Sequence, residues 1–313
     1  MESKPKISVV VPIYNEEENL VVLYRNIRET CQSLDGPYEI VFVDDGSRDQ
    51  GFGILEAIYR KDSSVKVIRF RKNYGQTAAM VAGFQYARGD IIVSMDGDLQ
   101  NDPADIPRLV SKLEEGFDVV CGWRKNRQDK FLSRRLPSVI ANWIIGRVTG
   151  VRIHDNGCSL KAYRASVIKS VALYGEMHRF IPAMATLAGA RIAEIVVNHH
   201  ARRFGKSKYG IGRIWRVGLD IVTVKVITGF ASRPLRWFGL PSIAIFLLGF
   251  FQFLLTGLYS AGDVEEWMVM STVAFLLLLA GAHLFSMGII GELSMKTGNY
   301  RPEKTFEPSV TSL

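Results

Sequence analysis

The chain has 313 residues, a formal net charge of +8 and an apolar fraction of 48%. In a soluble protein that basic balance would suggest a nucleic-acid partner, but two long uncharged runs near the C-terminal end direct the reading to a membrane instead. Cys31, Cys121 and Cys158 are odd in number, scattered and without a C-x-x-C spacing, so they read as reduced thiols with no disulfide or metal role. Residues 1–6 are polar and the first apolar run, 7–13, leads into charge, so no signal peptide is expected. Short β-branched runs follow at 38–43, 65–70, 90–95 and 117–121, and the stretches between them, such as 16–33 and 51–60, have helical spacing with polar faces. Strands alternating with helices predict a mostly parallel α/β sheet. Further strands are expected at 158–163 and 192–199, and residues 126–135, charged and aperiodic, read as a loop.

Ligands of such sheets bind beyond the carboxyl ends of the strands. There the run Ile91-Ile92-Val93-Ser94-Met95 ends in Asp96-Gly97-Asp98-Leu99-Gln100. Asp96 and Asp98 are hard oxygen ligands suited to Mg²⁺ or Mn²⁺, an ion that completes its shell with water and substrate phosphates. Two other strand ends carry Pro12-Ile13-Tyr14-Asn15-Glu16 and Asp44-Asp45-Gly46-Ser47. Helix capping by Asn15 or Ser47 is the plainer explanation of part of this pattern, but it does not require Asp44 and Asp45 together. No G-x-G-x-x-G follows a strand, and Gly205-Lys206-Ser207 lacks the first glycine of a phosphate-binding loop, because position 200 is His. Adjacent strand residues point to opposite faces, which argues against His199-His200 as a metal pair.

Residues 238–262 and 267–291 contain no Asp, Glu, Lys or Arg, and His283 is the one titratable imidazole within them. Each run spans roughly 37 Å as a helix, enough for a hydrocarbon core of about 30 Å with some tilt. Arg233 and Arg236 precede the first run and Lys296, Arg301 and Lys304 follow the second, while the connecting loop carries only Asp263, Glu265 and Glu266. The positive-inside rule then predicts both termini in the cytoplasm. The expected organisation is a cytosolic catalytic domain at 1–205, basic amphipathic juxtamembrane helices at 206–236, transmembrane helices at 237–262 and 267–291, and a cytosolic tail at 292–313.

The motifs V-V-P-I-Y-N-E-E, V-D-D-G-S, the Arg71–Gly75 segment and M-D-G-D-L-Q resemble the family 2 glycosyltransferases of GT-A fold, a Rossmann-like, mixed but mostly parallel sheet. With C-G-W-R at 121–124, N-G-C-S-L-K-A-Y-R at 156–164 and a two-helix anchor, the likeness narrows to the polyprenyl-phosphate glycosyltransferases. These are relatives of dolichyl-phosphate mannose synthase, and the likeness extends to the GtrB-type bactoprenol glucosyltransferases, whose anchor has two helices. The resemblance implies that Pro12, Tyr14, Glu16, Asp44, Asp45, Asn73 and Asp96 surround the nucleotide sugar. It implies a Mg²⁺ or Mn²⁺ ion at Asp96, Asp98 and Gln100, and catalytic roles for Asp98, Arg124 and Asp155. Asp155 is assigned substrate positioning first and base catalysis second. Arg134, Arg135, Arg202 and Arg203 are the candidates to meet acceptor or diphosphate phosphates, since a guanidinium fork matches two phosphate oxygens.

The implied reaction is inverting transfer of a hexose, glucose from UDP-glucose by the nearest likeness, to a polyprenyl phosphate on the cytosolic leaflet of a bacterial inner membrane. GDP-mannose is the alternative donor. A polysaccharide synthase of the same superfamily would carry Q-x-x-R-W, where this chain has Arg233 in place of Gln, and a catalytically dead scaffold would have lost Asp96, Asp98 or Arg124. The resemblance also leaves room for a homo-oligomer, tetrameric in some relatives, and for a flippase partner. No nucleic-acid partner is expected.

Overall fold

The computed structural model describes residues 4–125, 142, 143, 145–147, 150–171, 173, 175, 177–187, 189–201, 234–258, 264–297, 311 and 312. The chain divides into two compact units, residues 1–221 with 302–313, and residues 222–301. The expected loop 126–135, the phosphate-binding candidates Arg134, Arg135, Arg202 and Arg203, and nearly all of the expected juxtamembrane helices lie outside the described residues.

The first unit is built on one eight-stranded sheet. Its strands are β1 (Ile7–Ile13), β2 (Tyr38–Asp44), β3 (Val65–Arg69), β4 (Ile91–Ser94), β5 (Val119–Trp123), β6 (Lys161–Arg164), β7 (Ile192–Val196) and β8 (Thr311–Ser312), in the order β7-β5-β6-β4-β1-β2-β3-β8. β1 is parallel to β2 and β4, β2 to β3, and β5 to β7, while β6 runs antiparallel to both of its neighbours. β1 is central because it is buried on both faces, as a β-branched run without alternation requires. One face is covered by α1 (Glu17–Gln32), α2 (Gly51–Tyr59) and α4 (Ile106–Glu114), whose Leu20, Leu23, Ile27, Leu55, Ile106 and Leu109 join Val9, Val11, Phe42 and Val93 in the core. α3 (Gln76–Tyr86) lies on the other face, so close that a Cβ on Gly83 would sit 2.2 Å from Val10 Cγ1. Only glycine permits that approach.

β6 begins three residues later than expected. The carbonyls of Asn156 and Cys158 accept from Lys161 Nζ, and that of Ser159 from Ser94 Oγ, so residues 156–159 form a side-chain-bonded turn rather than ladder. β7 likewise stops at Val196, and the chain then runs beside the Asp96 loop, where His200 N donates to Gln100 O at 2.9 Å and Asn101 bridges to His199. Two short helices, α5 (Ala165–Ile168) and α6 (Ile181–Leu187), complete the described part of this unit after β6. Burial pushes the Cys31 and Cys121 thiols up to about 12 and raises that of Cys158, so all three stay protonated and unreactive.

The second unit contains two apolar helices long enough to cross a membrane, α7 (Pro234–Leu258) and α8 (Val264–Thr297). They pack through small residues spaced by seven: Ser242, Gly249 and Thr256 on α7, and Ala274, Gly281 and Gly288 on α8. A Cβ on Gly249 would meet Leu277 at 2.9 Å, and one on Gly281 would meet Phe246 at 3.2 Å. Ser242 Oγ donates to Gly281 O at 2.8 Å across the seam. Close backbone approach and an interhelical hydrogen bond are what hold helices together where lipid removes the hydrophobic drive.

Candidate active site

The strand order fixes where a ligand can bind. From β1 the chain proceeds outward to β2 and β3, then returns past β1 to β4, so the connections leave the carboxyl ends of β1 and β4 in opposite directions. A crevice opens at that switch point. Pro12 fits the rim because the β1–β4 ladder has already ended at Val10 and Ser94, so no partner is there to need its missing N–H.

Three loops meet at this edge and cap one another's helices, while Asp49 Oδ1 also accepts from Gly51 N at 3.0 Å at the start of its own α2. Asn15, at φ 51°, donates its N–H to Ser47 Oγ at 3.0 Å, and its Oδ1 accepts from Arg48 N at 2.8 Å. Asp49 Oδ2 accepts from Glu17 N at 3.0 Å, and Glu17 Oε2 accepts from Gln50 N at 2.7 Å. The first turns of α1 and α2 are thus satisfied across loops, by a reciprocal exchange of carboxylates. Glu16 holds Asn19 Nδ2 at 2.6 Å.

Asp44 and Asp45 are adjacent and both buried, but they face different tasks. Asp45 accepts from Asn73 Nδ2 at 2.9 Å, Tyr74 N at 2.7 Å and Gly75 N at 2.9 Å, which ties the loop after β3 to the loop after β2. Burial pushes its carboxyl up to about 6, against the pull of the Tyr74 and Gly75 amides and with the Asp44 charge adding to the rise. Asp44 Oδ1 accepts from Ser47 N at 3.0 Å. Its Oδ2 is buried with no hydrogen-bond partner among the described residues, and Arg69 Nε lies 3.6 Å away. An acceptor left so is a demand for an N–H from a ligand, such as that of a nucleobase. Beside it a cavity of about 450 Å³ is lined by Tyr14, Gly46, Ser47, Arg69 and Asn73 among others.

Across β1, the Asp96 loop is also tightly set. Asp96 Oδ1 accepts from Gln76 Nε2 at 2.7 Å, Asp98 Oδ1 from Gln100 N at 3.1 Å, and Leu99 takes φ 60°. A Cβ on Gly97 would sit 2.5 Å from Ile13 Cδ1 and 3.3 Å from Pro12 O, so the loop lies close on β1 and a larger residue there would displace the end of the Ile13 side chain. Asn101 Oδ1 receives Ser159 Oγ at 2.8 Å and fixes the loop's far end. Asp96, Asp98 and Gln100 supply two carboxylates and an amide oxygen, hard donors that fit Mg²⁺ or Mn²⁺. Among the described residues no three His, Cys, Asp or Glu side chains gather into a metal cage. Two carboxylates and an amide oxygen would leave the rest of such an ion's shell to water and a ligand's phosphates. His200 Nε2 lies 3.1 Å from Asp102 Oδ2, which occupies that ring.

The opposite wall carries Arg124 and Asp155. Arg124 Nε and Nη2 donate to the two carboxylate oxygens at 2.7 and 2.9 Å, a bidentate pair with side chains 12% and 4% exposed. Burial disfavours the guanidinium charge, but the bond to Asp155, helped by the Asp155 and Asp96 charges, outweighs it and raises the Arg124 pKa above its ordinary value. Asp96 is thus close enough for its charge to be felt by Arg124, which links this wall to the metal-type loop.

The structure places Tyr14 and Asn73 on the cavity lining, Asp44 buried at the end of β2 just before the lining residues Gly46 and Ser47, Asp96, Asp98 and Gln100 on the loop after β4, and Arg124 with Asp155 within reach of the Asp96 charge. Sequence reasoning offered Ser47 only as a helix cap and did not single out Gln76, Asn101 or Glu194, each of which makes a contact distant in sequence.

Comparison with known proteins gives this geometry a family. Residues 8–172 match the model of glycosyl transferase family 2. The dodecaprenyl-phosphate galacturonate synthase of Rhizobium johnstonii is 43% identical over 304 residues, covering 93% of this chain and 88% of that protein. The undecaprenyl-phosphate 4-deoxy-4-formamido-L-arabinose transferase of Edwardsiella ictaluri is 40% identical over 290 residues, covering 91% and 87%. Among solved structures, glucosyl-3-phosphoglycerate synthase of Mycobacterium tuberculosis, in complex with Mn²⁺, UDP-glucose and phosphoglyceric acid, superposes with a TM-score of 0.56 at 18% identity, covering 72% of this chain and 80% of that one. That likeness is one of fold, and the fold is GT-A. A GT-A sheet with its crevice between β1 and β4, matched by a family model over the whole of that crevice and by full-length relatives, shows that this chain belongs to glycosyl transferase family 2.

Proposed function

We propose that this glycosyltransferase moves a sugar from a uridine diphosphate donor to the phosphate of a membrane polyprenyl phosphate. The observation that carries the reading is one edge of one sheet, where the loops after β1, β2 and β3 line a cavity, Gln76 ties the loop after β3 to Asp96, and the Arg124–Asp155 pair lies close enough to Asp96 to feel its charge. Asp44 Oδ2 supports recognition of an imide N–H such as that of uracil, with Tyr14, Pro12, Glu16 and Asn73 around the nucleoside and Asp45 holding the Asn73–Gly75 loop in place. A Mg²⁺ or Mn²⁺ ion at Asp96, Asp98 and Gln100, when bound, neutralises charge on the diphosphate leaving group. Arg124 offers its remaining N–H groups to phosphate oxygens. Arg134, Arg135, Arg202 and Arg203 are further phosphate contacts in this proposal.

The acceptor needs little help to react. A phosphate monoester has its second pKa near 6, so it is largely dianionic at pH 7 and attacks the anomeric carbon without a general base. Direct attack inverts configuration. The commitment of both Asp155 oxygens to Arg124 supports a positioning role for Asp155 rather than that of a base. Catalysis then rests on orientation and charge stabilisation.

The two apolar helices and the relatives' polyprenyl-phosphate substrates support an integral membrane protein, with the catalytic unit and both termini cytoplasmic by the positive-inside rule and the bacterial inner membrane as its site. Glucose is the sugar implied by the sequence resemblance, and the relatives' names add galacturonate and 4-deoxy-4-formamido-L-arabinose to the donors to be tried. The test is transfer of radiolabel from UDP-glucose, UDP-galacturonate, UDP-4-deoxy-4-formamido-L-arabinose and GDP-mannose into organic-extractable polyprenyl phosphate, with and without Mn²⁺ or Mg²⁺. Metal-dependent lipid label from one UDP donor is the expected result. Label from no donor would overturn the acceptor assignment.

A further inference from the structure

The turn that carries Asp155 is gripped from β7. Glu194 accepts the N–H of His154 at 3.0 and 3.2 Å and that of Asp155 at 3.1 Å, and its Oε2 lies 2.7 Å from His154 Nδ1. One carboxylate, its side chain 14% exposed, thus gathers two backbone donors and one ring nitrogen from successive residues. The His154 ring in turn stacks on Trp123, with centroids 4.2 Å apart and planes 16° from parallel. Trp123 immediately precedes Arg124, and Glu194 pairs in register with Cys121 on the same β5–β7 ladder. Both partners of the buried pair are therefore referred to the same two strands: Arg124 through β5, and Asp155 through Glu194 on β7. None of these contacts is required by the strand ladder, whose β5–β7 bonds are complete without them.

We infer that Glu194 is a positioning residue for sugar transfer. It holds the Asp155 carboxylate square to Nε and Nη2 of Arg124, and so aims at the crevice the three N–H groups of the guanidinium that Asp155 does not use. The inference rests on the crevice being the transfer site proposed above. A carboxylate that drifts by an ångström would re-aim the fork and reduce the rate without emptying the nucleotide pocket, which lies on the far side of β1.

The test uses the full chain in lipid nanodiscs with Glu194→Ala and Glu194→Gln, and Trp123→Phe as the fluorescence reference. Alanine removes every acceptor, whereas glutamine keeps one oxygen for the two backbone N–H groups and loses the charge beside His154. In Glu194→Ala we expect kcat to fall about 100-fold with donor KM changed less than about threefold. We expect Glu194→Gln to recover to within about tenfold of wild type, and Trp123 emission, taken as the difference from Trp123→Phe, to change in both variants as the His154 ring is released. A Glu194→Ala variant with kcat within twofold of wild type would overturn the inference. So would unchanged Trp123 emission, and so would loss of donor binding together with kcat in both variants, since that marks a folding role. A wild type inactive on every UDP donor would bring down the transfer reading and the inference with it. An active wild type beside an unimpaired Glu194→Ala brings down the inference alone.

Discussion

The two walls of the crevice are held by different physics. On the nucleoside wall the loops after β1, β2 and β3 are stitched by many separate bonds, mostly single backbone N–H groups donating to Asp44, Asp45, Ser47 and Asp49. On the facing wall one buried ion pair, Arg124–Asp155, concentrates the constraint, with Glu194 behind it. Most of these bonds end on a carboxylate and are each worth about 1.5–3 kcal/mol, whereas removing one member of a buried pair costs about 3–5 kcal/mol because the other charge is left stranded in low dielectric. The first wall should therefore tolerate single losses and the second should not.

The largest effect is expected between the walls. Asp98→Ala should lower transfer by about a thousandfold or more, equivalent to roughly 4 kcal/mol in the barrier, with near-UV circular dichroism unchanged. An unchanged rate would remove Asp98 from the site. On the charged wall, Asp155→Ala should cost about 3–5 kcal/mol of stability in urea unfolding of the detergent-solubilised protein, because Arg124 is left buried and unpaired. The double replacement Arg124→Met with Asp155→Leu should restore most of that stability and none of the activity, which separates what the pair does for the fold from what it does for transfer.

On the nucleoside wall, Gly46→Ala sharpens the contrast. Gly46 has φ +69°, and a Cβ there would meet Lys72 C at 2.5 Å, so the two loops must part. A cost of about 1–3 kcal/mol is expected, read as a raised donor KM with kcat little changed. The smallest effect is one of pH. His178, buried under α3 and bonded to Thr77 Oγ1 at 2.8 Å, is pushed down to about 3 by burial, with Arg179 and Lys161 adding. The folded state stays neutral while the unfolded imidazole, at about 6.5, takes up a proton, so stability is full above 6.5 and is lost as pH falls toward 3. Between pH 7.5 and 5.5 the wild type should lose about 1.4 kcal/mol relative to His178→Asn in the same unfolding assay.

Much of the scaffold was legible because buried parallel strands announce themselves as β-branched runs. β1 matched its expected bounds, and β2 to β5 ended close to theirs. The Asp96 loop was legible for the same reason: acids directly after such a run have few structural uses. The division of labour between Asp44 and Asp45 was not, since adjacency cannot say which carboxylate a loop some 30 residues on will occupy; Asn73, Tyr74 and Gly75 take Asp45. Gln76 and Glu194 were missed because each acts across 20 to 40 residues of sequence. A signal for Glu194 did exist, a lone acid inside the strand run Ile192-Ala193-Glu194-Ile195-Val196. β8, two residues long against β3, is too short to carry any periodicity.

The sevenfold spacing of small residues on both apolar helices has a mechanical consequence. Each glycine receives a bulky neighbour, Leu277 at Gly249, Phe246 at Gly281 and Phe238 at Gly288, so a slide of one to six residues drives bulk into backbone. The hairpin is a ratchet whose notches lie about 10.5 Å apart, seven residues at 1.5 Å each. Such a device cannot stretch or shorten by small steps to suit a thicker or thinner bilayer. In the membrane placement proposed above it would lean as one piece, so that its tilt would be what answers to bilayer thickness.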